Sequence, residues 1–265
     1  MGEPAVVVVG AGITGLSCAA ELRGHAAVTV VDRVPVPGGV HGWQAPETHE
    51  LTAAADARLV LGATAVRWDG ERLLVIGQDG AELLPAAALV VATGTRPLGR
   101  AELGIAGPRP AGVVAATVAA HLAENGLLVG RRPLIVGGGD WALRSAEELL
   151  HAGAESVTVA APDGVLAPPL AGGGPRLRLM PGARPVAVGG GARVEQVELA
   201  GGDRVECDAL VLAHGVVPLR NVDGAVWEGP RTVYAQPLHD PATVDGARSA
   251  GRDAARAVRS LLESP

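Results

Sequence analysis

This chain of 265 residues has no phenylalanine, one tyrosine, four tryptophans and two cysteines, and each scarcity removes a class of chemistry. Aromatics at 2% leave no series of stacking rings of the kind that grips single-stranded nucleic acid. The formal net charge of −6 points the same way, because phosphate backbones are held by lysine and arginine clusters that the sequence does not show; a basic partner stays open. Cys18 and Cys207 lie far apart, so cysteine builds neither a Cys-x-x-Cys redox pair nor a zinc or iron-sulfur ligand set, and no metal is expected. Both cysteines read as small buried hydrophobes. No apolar run reaches the roughly 20 residues that span a bilayer, and the opening MGEPAVVVVGAG has no positive leader or small-residue cleavage site. The expectation is a cytoplasmic protein without a membrane span.

What is abundant is aliphatic. The 48% hydrophobic content is mostly Ala, Val and Leu, beside 38 Gly and 20 Pro, which predicts a soluble globular chain with an aliphatic core. The glycines fall into two echoing motifs. VVVVGAGITGLSCAAEL begins at residue 6 and LIVGGGDWALRSAEELL at residue 134; in each, an apolar run stops at glycines and gives way to helical spacing. A second echo links LVVATGTRP, from Leu89, to LVLAHGVVP, from Leu210. Self-similarity at about 125 residues is too long for a solenoid repeat and fits two related nucleotide-binding modules.

In the first copy Ala5 to Val9 form a strand, Gly10, Gly12 and Gly15 the fingerprint, and Leu16 to Arg23 a helix. Such glycines permit a tight turn, close approach of a pyrophosphate and close helix packing, while free amides at the helix start attract the anion. VTVVD then ends a second strand at Asp32, where a carboxylate can accept hydrogen bonds from a ribose diol. Gly38 and Gly39 follow in the loop PVPGGVHG, and Thr93, Gly94 and Thr95 close a later strand.

With these motifs in order, the chain resembles a two-dinucleotide-domain flavoprotein of the thioredoxin-reductase-like kind, in the pyridine nucleotide-disulfide oxidoreductase superfamily but without the redox Cys-x-x-Cys. AGPRPAGVVAATVAAHLAENGLLVGRRPLIVGGGD further resembles the linker and second fingerprint of FAD/NAD-binding subunits accompanying dye-linked amine, opine or proline dehydrogenases, and of proteins accompanying anaerobic glycerol-3-phosphate dehydrogenase. The resemblance implies an α/β fold of two Rossmann-like, three-layer domains, the second inserted in the first: residues 1 to 109 with 212 to 265 for FAD, and 110 to 211 for a nicotinamide-type domain. It implies FAD held by Gly10, Gly12, Ile13, Thr14, Gly15, Asp32, Arg33, Gly38, Gly39, Thr93, Gly94, Thr95, Asp240 and Thr243.

The second copy would hold NAD(P)H through Gly137, Gly139, Asp140, Trp141 and Ala142. Its backbone device is intact, but SVTVAAPDG puts Ala160 where the ribose carboxylate for NAD is expected, and no arginine pair follows for the 2′-phosphate of NADP. Trp141 has three readings: covering the pyrophosphate groove, stacking on a base, or plugging the core. A retained fold that no longer binds nucleotide is equally open.

The relatives carry a Gly-Asp pair after a short strand near the carboxyl terminus, whose aspartate bonds the ribityl chain. Here Thr232 to Ala235 are followed by Gln236 and Pro237, with Asp240 as a displaced substitute. A helix from Thr243 with small residues at Ala247, Ala250, Gly251, Ala254 and Ala255 follows; in the family its amino end faces the flavin pyrimidine and stabilises the reduced anion. His239 with Asp240 reads as an acid-base pair or as a polar turn, the latter favoured, and His41 and His214 as pocket-lining polar groups. GERLLVIGQDGAELLP reads as a hairpin of an accessory sheet, and the stretch from Val40 to Ala57 is short for the family. The leading function is an FAD-dependent oxidoreductase passing electrons between the flavin and a nicotinamide or a partner subunit, in a homo- or hetero-oligomer. The alternative is a non-catalytic scaffold or regulatory subunit that keeps the fold.

Overall fold

The computed structural model describes residues 3–219, 229, 231–235 and 243–263. It divides into two units, Met1–Thr95 with Pro218–Pro265, and Arg96–Val217.

The first unit opens with β1 (Ala5–Val9), α1 (Ile13–Leu22), β2 (Ala27–Asp32), α2 (Pro46–Ala55), β3 (Arg58–Leu61), β4 (Thr64–Trp68), β5 (Arg72–Gly77), β6 (Gly80–Pro85), β7 (Ala88–Val91) and β8 (Thr95–Arg96). The run of valines in β1 makes a strand because it is covered on both faces. Val6 and Val8 pack with Cys18, Ala19 and Leu22 of α1. Val7 and Val9 face the other way, onto Ala65, Leu73, Val75 and Leu84 of the antiparallel sheet β4-β5-β6. Burying each valine contributes about 1.5–3 kcal/mol, which explains why no polar residue interrupts the strand. The expected hairpin is there, with Gly77 opposite Gly80 across a two-residue turn, and β4 extends it to three strands. In the short stretch after Val40, Pro46 at the first helical position starts α2, which ends at Asp56 in the left-handed region.

The second unit runs through β9 (Val113–Ala115), α3 (Ala116–Glu124), β10 (Pro133–Val136), α4 (Asp140–His151), β11 (Val157–Ala161), α5 (Pro168–Ala171), β12 (Leu177–Pro181), β13 (Pro185–Gly189), β14 (Gln196–Leu199), β15 (Arg204–Glu206) and β16 (Ala209–Leu212). Its parallel sheet has the order β12-β11-β10-β16-β9, and a three-stranded antiparallel sheet, β13-β14-β15, forms its third layer. The same division of faces recurs. Ile135, Val157, Val159 and Val211 pack with the helices, whereas Leu134, Val136, Leu210 and Leu212 pack on Val188, Val197 and Val205.

The chain returns through β17 (Val217–Pro218) and β18 (Thr232–Tyr234) to α6 (Val244–Glu263), completing the first parallel sheet as β18-β7-β1-β2-β3. Gly251 of α6 is pressed onto α1: a Cβ there would stand 2.4 Å from the Thr14 carbonyl oxygen and 2.7 Å from Ser17 Cβ. Ala254, Ala255 and Val258 continue that seam over Cys18. Each unit is therefore a three-layer α/β body of Rossmann type, with helices on one face of a parallel sheet and a small antiparallel sheet on the other. No helix among the described residues is long and apolar enough to cross a membrane.

Candidate functional site

The first glycine turn is assembled by backbone contacts that side chains would block. Gly10 has φ +113°, and a Cβ on it would lie 2.2 Å from the Ala92 carbonyl oxygen at the end of β7. A Cβ on Gly15 would lie 1.9 Å from the Gly10 oxygen, so these two glycines seat α1 against the strands. Gly12 differs. Its backbone is extended, at φ −78° and ψ 177°, and its missing Cβ would meet only the Gly39 Cα, 3.8 Å away. Gly39 packs directly against it, its own Cβ position 3.2 Å from the Gly12 Cα, and Gly38 bridges to Gly12.

Gly12 caps α1 with no side-chain hydrogen bond, and the first turn holds no acidic residue. The first helical bond runs from the Leu16 amide to Gly12 O, so Ile13, Thr14 and Gly15 supply first-turn amides without intrahelical acceptors. With the positive end of the helix dipole they form an anion site.

Asp32, at the end of β2, is oriented before any ligand arrives. The Ala11 amide donates to Oδ2 at 2.7 Å and the Val34 amide to Oδ1 at 2.9 Å. Each carboxylate oxygen keeps a further lone pair for a sugar hydroxyl. Arg33 beside it is exposed. Beyond the end of β7 the Thr93 and Thr95 hydroxyls are buried with no hydrogen-bond partner among the described residues, on either side of Gly94 at φ +79°. A bare glycine turn, an uncapped helix, a held carboxylate and two orphaned hydroxyls together fit a diphosphate-bridged dinucleotide. Thr243 lies elsewhere in the network: its hydroxyl accepts from the Gly246 amide at 3.2 Å and caps α6. Gln236, Pro237, His239 and Asp240 lie outside the described residues. His41 closes the short helical turn Gly39–His41 in the first unit, and His214 follows β16 in the second.

Two contributors carried no sequence signal of function. Ala11 serves through its amide alone. Thr48, 1% exposed on α2, donates its hydroxyl to Gly42 O at 2.9 Å and ties down the loop that carries Gly38 and Gly39. A threonine soon after the Pro46 helix start was the only hint of it.

The second unit repeats the framework with different side chains. Gly137, at φ +130°, would place a Cβ 2.6 Å from the Ala213 oxygen, repeating the Gly10–Ala92 approach. Gly139 caps α4, Asp140 is its first residue and Ala142 is fully buried at the third fingerprint position. The register corrects the expected ribose position. Val9 pairs with Val31, the residue before Asp32, and Val136 pairs with Ala160, so the counterpart of Asp32 is Ala161, not Ala160. Ala161 is buried and offers no acceptor, and the next acid, Asp163, receives the Val165 amide at 3.2 Å. Trp141 is 2% exposed and packs with Ala116, Ala119, Ala146 and Leu149, the core-filling placement of the three considered.

Neither thiol is available for disulfide chemistry. Burial pushes the Cys18 thiol up to about 12, with Glu21 adding to the shift. Burial likewise pushes Cys207 up to about 12, with Asp208 adding and Arg132 opposing. Such thiols hold almost no thiolate at neutral pH. No cluster of His, Cys, Asp and Glu suited to a metal ion occurs among the described residues.

Comparison with known proteins agrees with this construction. The pattern of the pyridine nucleotide-disulphide oxidoreductases matches residues 4–229. Sarcosine oxidase subunit alpha of Rhizobium meliloti (strain 1021) is 29% identical over 273 residues, a stretch covering 88% of this chain and 27% of that protein. The chain thus spans about a quarter of that curated relative. Among solved structures, T. acidophilum thioredoxin reductase superposes with a TM-score of 0.71 at 18% identity, covering 99% of this chain and all of that one. L-proline dehydrogenase from P. horikoshii gives 0.64 at 17% identity, covering 100% of this chain and 56% of that one. These likenesses establish the fold, thioredoxin-reductase-like yet with only two buried, widely separated cysteines. With the family pattern running across most of its length and through both strand-glycine-helix modules, the chain belongs to the pyridine nucleotide-disulphide oxidoreductase family.

Proposed function

We propose that the first unit binds FAD and that this chain passes electrons between the flavin and a partner subunit, without a redox disulfide. The observation that carries the reading is the contrast between the two glycine modules. The first combines a bare glycine turn at the uncapped start of α1 with a carboxylate, Asp32, whose oxygens are already positioned by backbone amides. The second has the glycine turn but presents Ala161 where that carboxylate would stand. A ribose diol therefore finds an acceptor in one module and methyl groups in the other. NAD(P)H remains the competing donor, through Gly137, Gly139, Asp140 and Ala142.

In this reading Ile13, Thr14 and Gly15 amides hold the diphosphate, Asp32 the adenosine sugar, and the orphaned Thr93 and Thr95 hydroxyls a further polar edge of the ligand. Bound FAD supplies the redox chemistry, and the chain's own groups position it and exclude water. The name of the Rhizobium relative, a subunit alpha of which this chain spans a quarter, supports a multi-subunit setting. So does the lack of any exposed cysteine to relay electrons.

Anaerobic flavin spectroscopy tests the proposal. The expected result is a yellow protein whose oxidised-flavin absorption band is indifferent to NADH and NADPH and bleaches only with a co-purified partner and its substrate. Bleaching by either nicotinamide alone would replace the partner by a nicotinamide donor. Folded protein that cannot be loaded with FAD would remove the flavin reading and leave the scaffold alternative.

A further inference from the structure

We infer that Trp43 is the aromatic wall against which the flavin ring of the bound dinucleotide lies, held in place by a loop built for that purpose; this rests on the FAD reading above. Among the described residues Trp43 is the largest apolar side chain left in the open, 49% exposed, whereas Trp68 and Trp141 are 4% and 2% exposed. A bare indole on a loose loop would mean little. This loop is fixed. Gly38, at φ +115°, packs so tightly that a Cβ on it would stand 2.2 Å from Gly42 O and 2.8 Å from the Trp43 nitrogen. The His41 amide donates to Gly38 O at 3.2 Å, and the Gly42 amide to Gly39 O at 3.3 Å. The buried Thr48 hydroxyl clamps Gly42 O from α2, and the His49 ring supports the indole edge-on with centroids 6.0 Å apart. The backbone is pinned on several sides while the ring stays uncovered, the arrangement of a preorganised contact surface.

Position selects the ligand. The loop leaves Asp32, which takes the adenosine sugar, and meets the diphosphate turn where Gly38 bridges to Gly12. Through Gly38 the backbone of Trp43 is rooted beside that turn, and with the adenosine sugar taken by Asp32 the proposal gives the indole the flavin half of the dinucleotide. In the same unit α1, α2 and α6 close on one another through Ile13, Leu51 and Ala247. A flat, electron-poor tricyclic ring needs a broad electron-rich face, and indole offers the best one among side chains.

The test uses the FAD-loaded full chain. An indole in contact with a flavin quenches its emission by electron transfer to the excited ring, a contact effect that phenylalanine does not reproduce. Trp43→Phe is expected to brighten the bound flavin several-fold with little change in affinity, and Trp43→Ala to weaken FAD about tenfold, as loss of one aromatic stack does. Because the side chain is exposed, both variants should keep the parent's circular dichroism. If Trp43→Phe takes up FAD and its flavin emission matches the parent's, the indole faces elsewhere and the inference falls while the FAD reading stands. If the folded parent takes up no FAD at all, both fall.

Discussion

Replacing Gly12 by alanine separates the protein's need for its glycines from the ligand's need. At φ −78° the backbone suits alanine, and the new Cβ would meet only the Gly39 Cα at 3.8 Å, an ordinary van der Waals distance. The fold therefore loses little beyond the preference of helix caps for glycine over alanine, about 1 kcal/mol or less, a shift of roughly 2–4 °C in Tm. The methyl group, however, stands at the uncapped end of α1 beside Gly39, on the bare glycine surface that the proposed diphosphate would approach. Pushing the anion outward costs about one or two charge-assisted hydrogen bonds at ~1.5–3 kcal/mol each. The expected outcome is a loss of FAD affinity on the order of 100-fold. Equilibrium titration of the apoprotein, followed by flavin absorbance, together with calorimetry of the apo form, measures both quantities. Parent-like FAD binding by Gly12→Ala would refute the assignment of this glycine turn to the diphosphate; a collapse of apo stability would refute the claim that the protein does not need this glycine.

Three further outcomes follow from the same geometry. Gly15→Ala is expected to fail in the opposite way, because its Cβ would stand 1.9 Å from Gly10 O; apo stability should fall by about 3 kcal/mol or more, consistent with overpacking at a backbone contact, and a parent-like Tm would contradict the packing. Asp32→Asn turns an amide group toward the Ala11 or Val34 N–H, so we expect FAD to bind about tenfold more weakly and apo stability to drop by about 1–3 kcal/mol; unchanged values in both titration and melting would exclude the pre-oriented carboxylate. Burial raises the thiols of Cys18 and Cys207 to about 12, so their contribution to stability is complete below the unfolded value near 9 and is lost as pH rises from there toward 12. Urea midpoints should decline across that alkaline window more steeply in the parent than in a Cys18→Ala/Cys207→Ala variant, and equal slopes would count against buried neutral thiols.

How much of this was legible in the sequence depends on how local each cause is. Strand β1, its glycines and Asp32 could be read directly, because a valine run, a turn and a charged strand end mark themselves within some 30 residues of chain. The end of β11 could not. With alanine at both 160 and 161 no polar residue announces where the strand stops, and only pairing with Val136 fixes the register one residue later than expected. Trp141 stayed ambiguous for a related reason, since a tryptophan at a helix start reads the same whether it meets a ligand or Ala116 and Ala119 of another helix. The third layers were half visible: the β5-β6 hairpin shows in its alternation, whereas the packing of Leu73 and Val75 onto Val7 and Val9 depends on distant partners. Thr48 and Ala11 act through a single hydroxyl and a single amide, which leave no pattern at all.

The seam between α1 and α6 also sets an order of events during synthesis. Gly251 sits against the backbone of Thr14 and Cys18, yet the two helices are separated in the chain by the whole of the second unit. One side of α1 must therefore wait, its apolar residues uncovered, until α6 has emerged from the ribosome and can dock. In nascent chains stalled before residue 244 a maleimide should reach the Cys18 thiol, and release of residues 244–263 should shield it, so that this buried cysteine reports when α6 has docked.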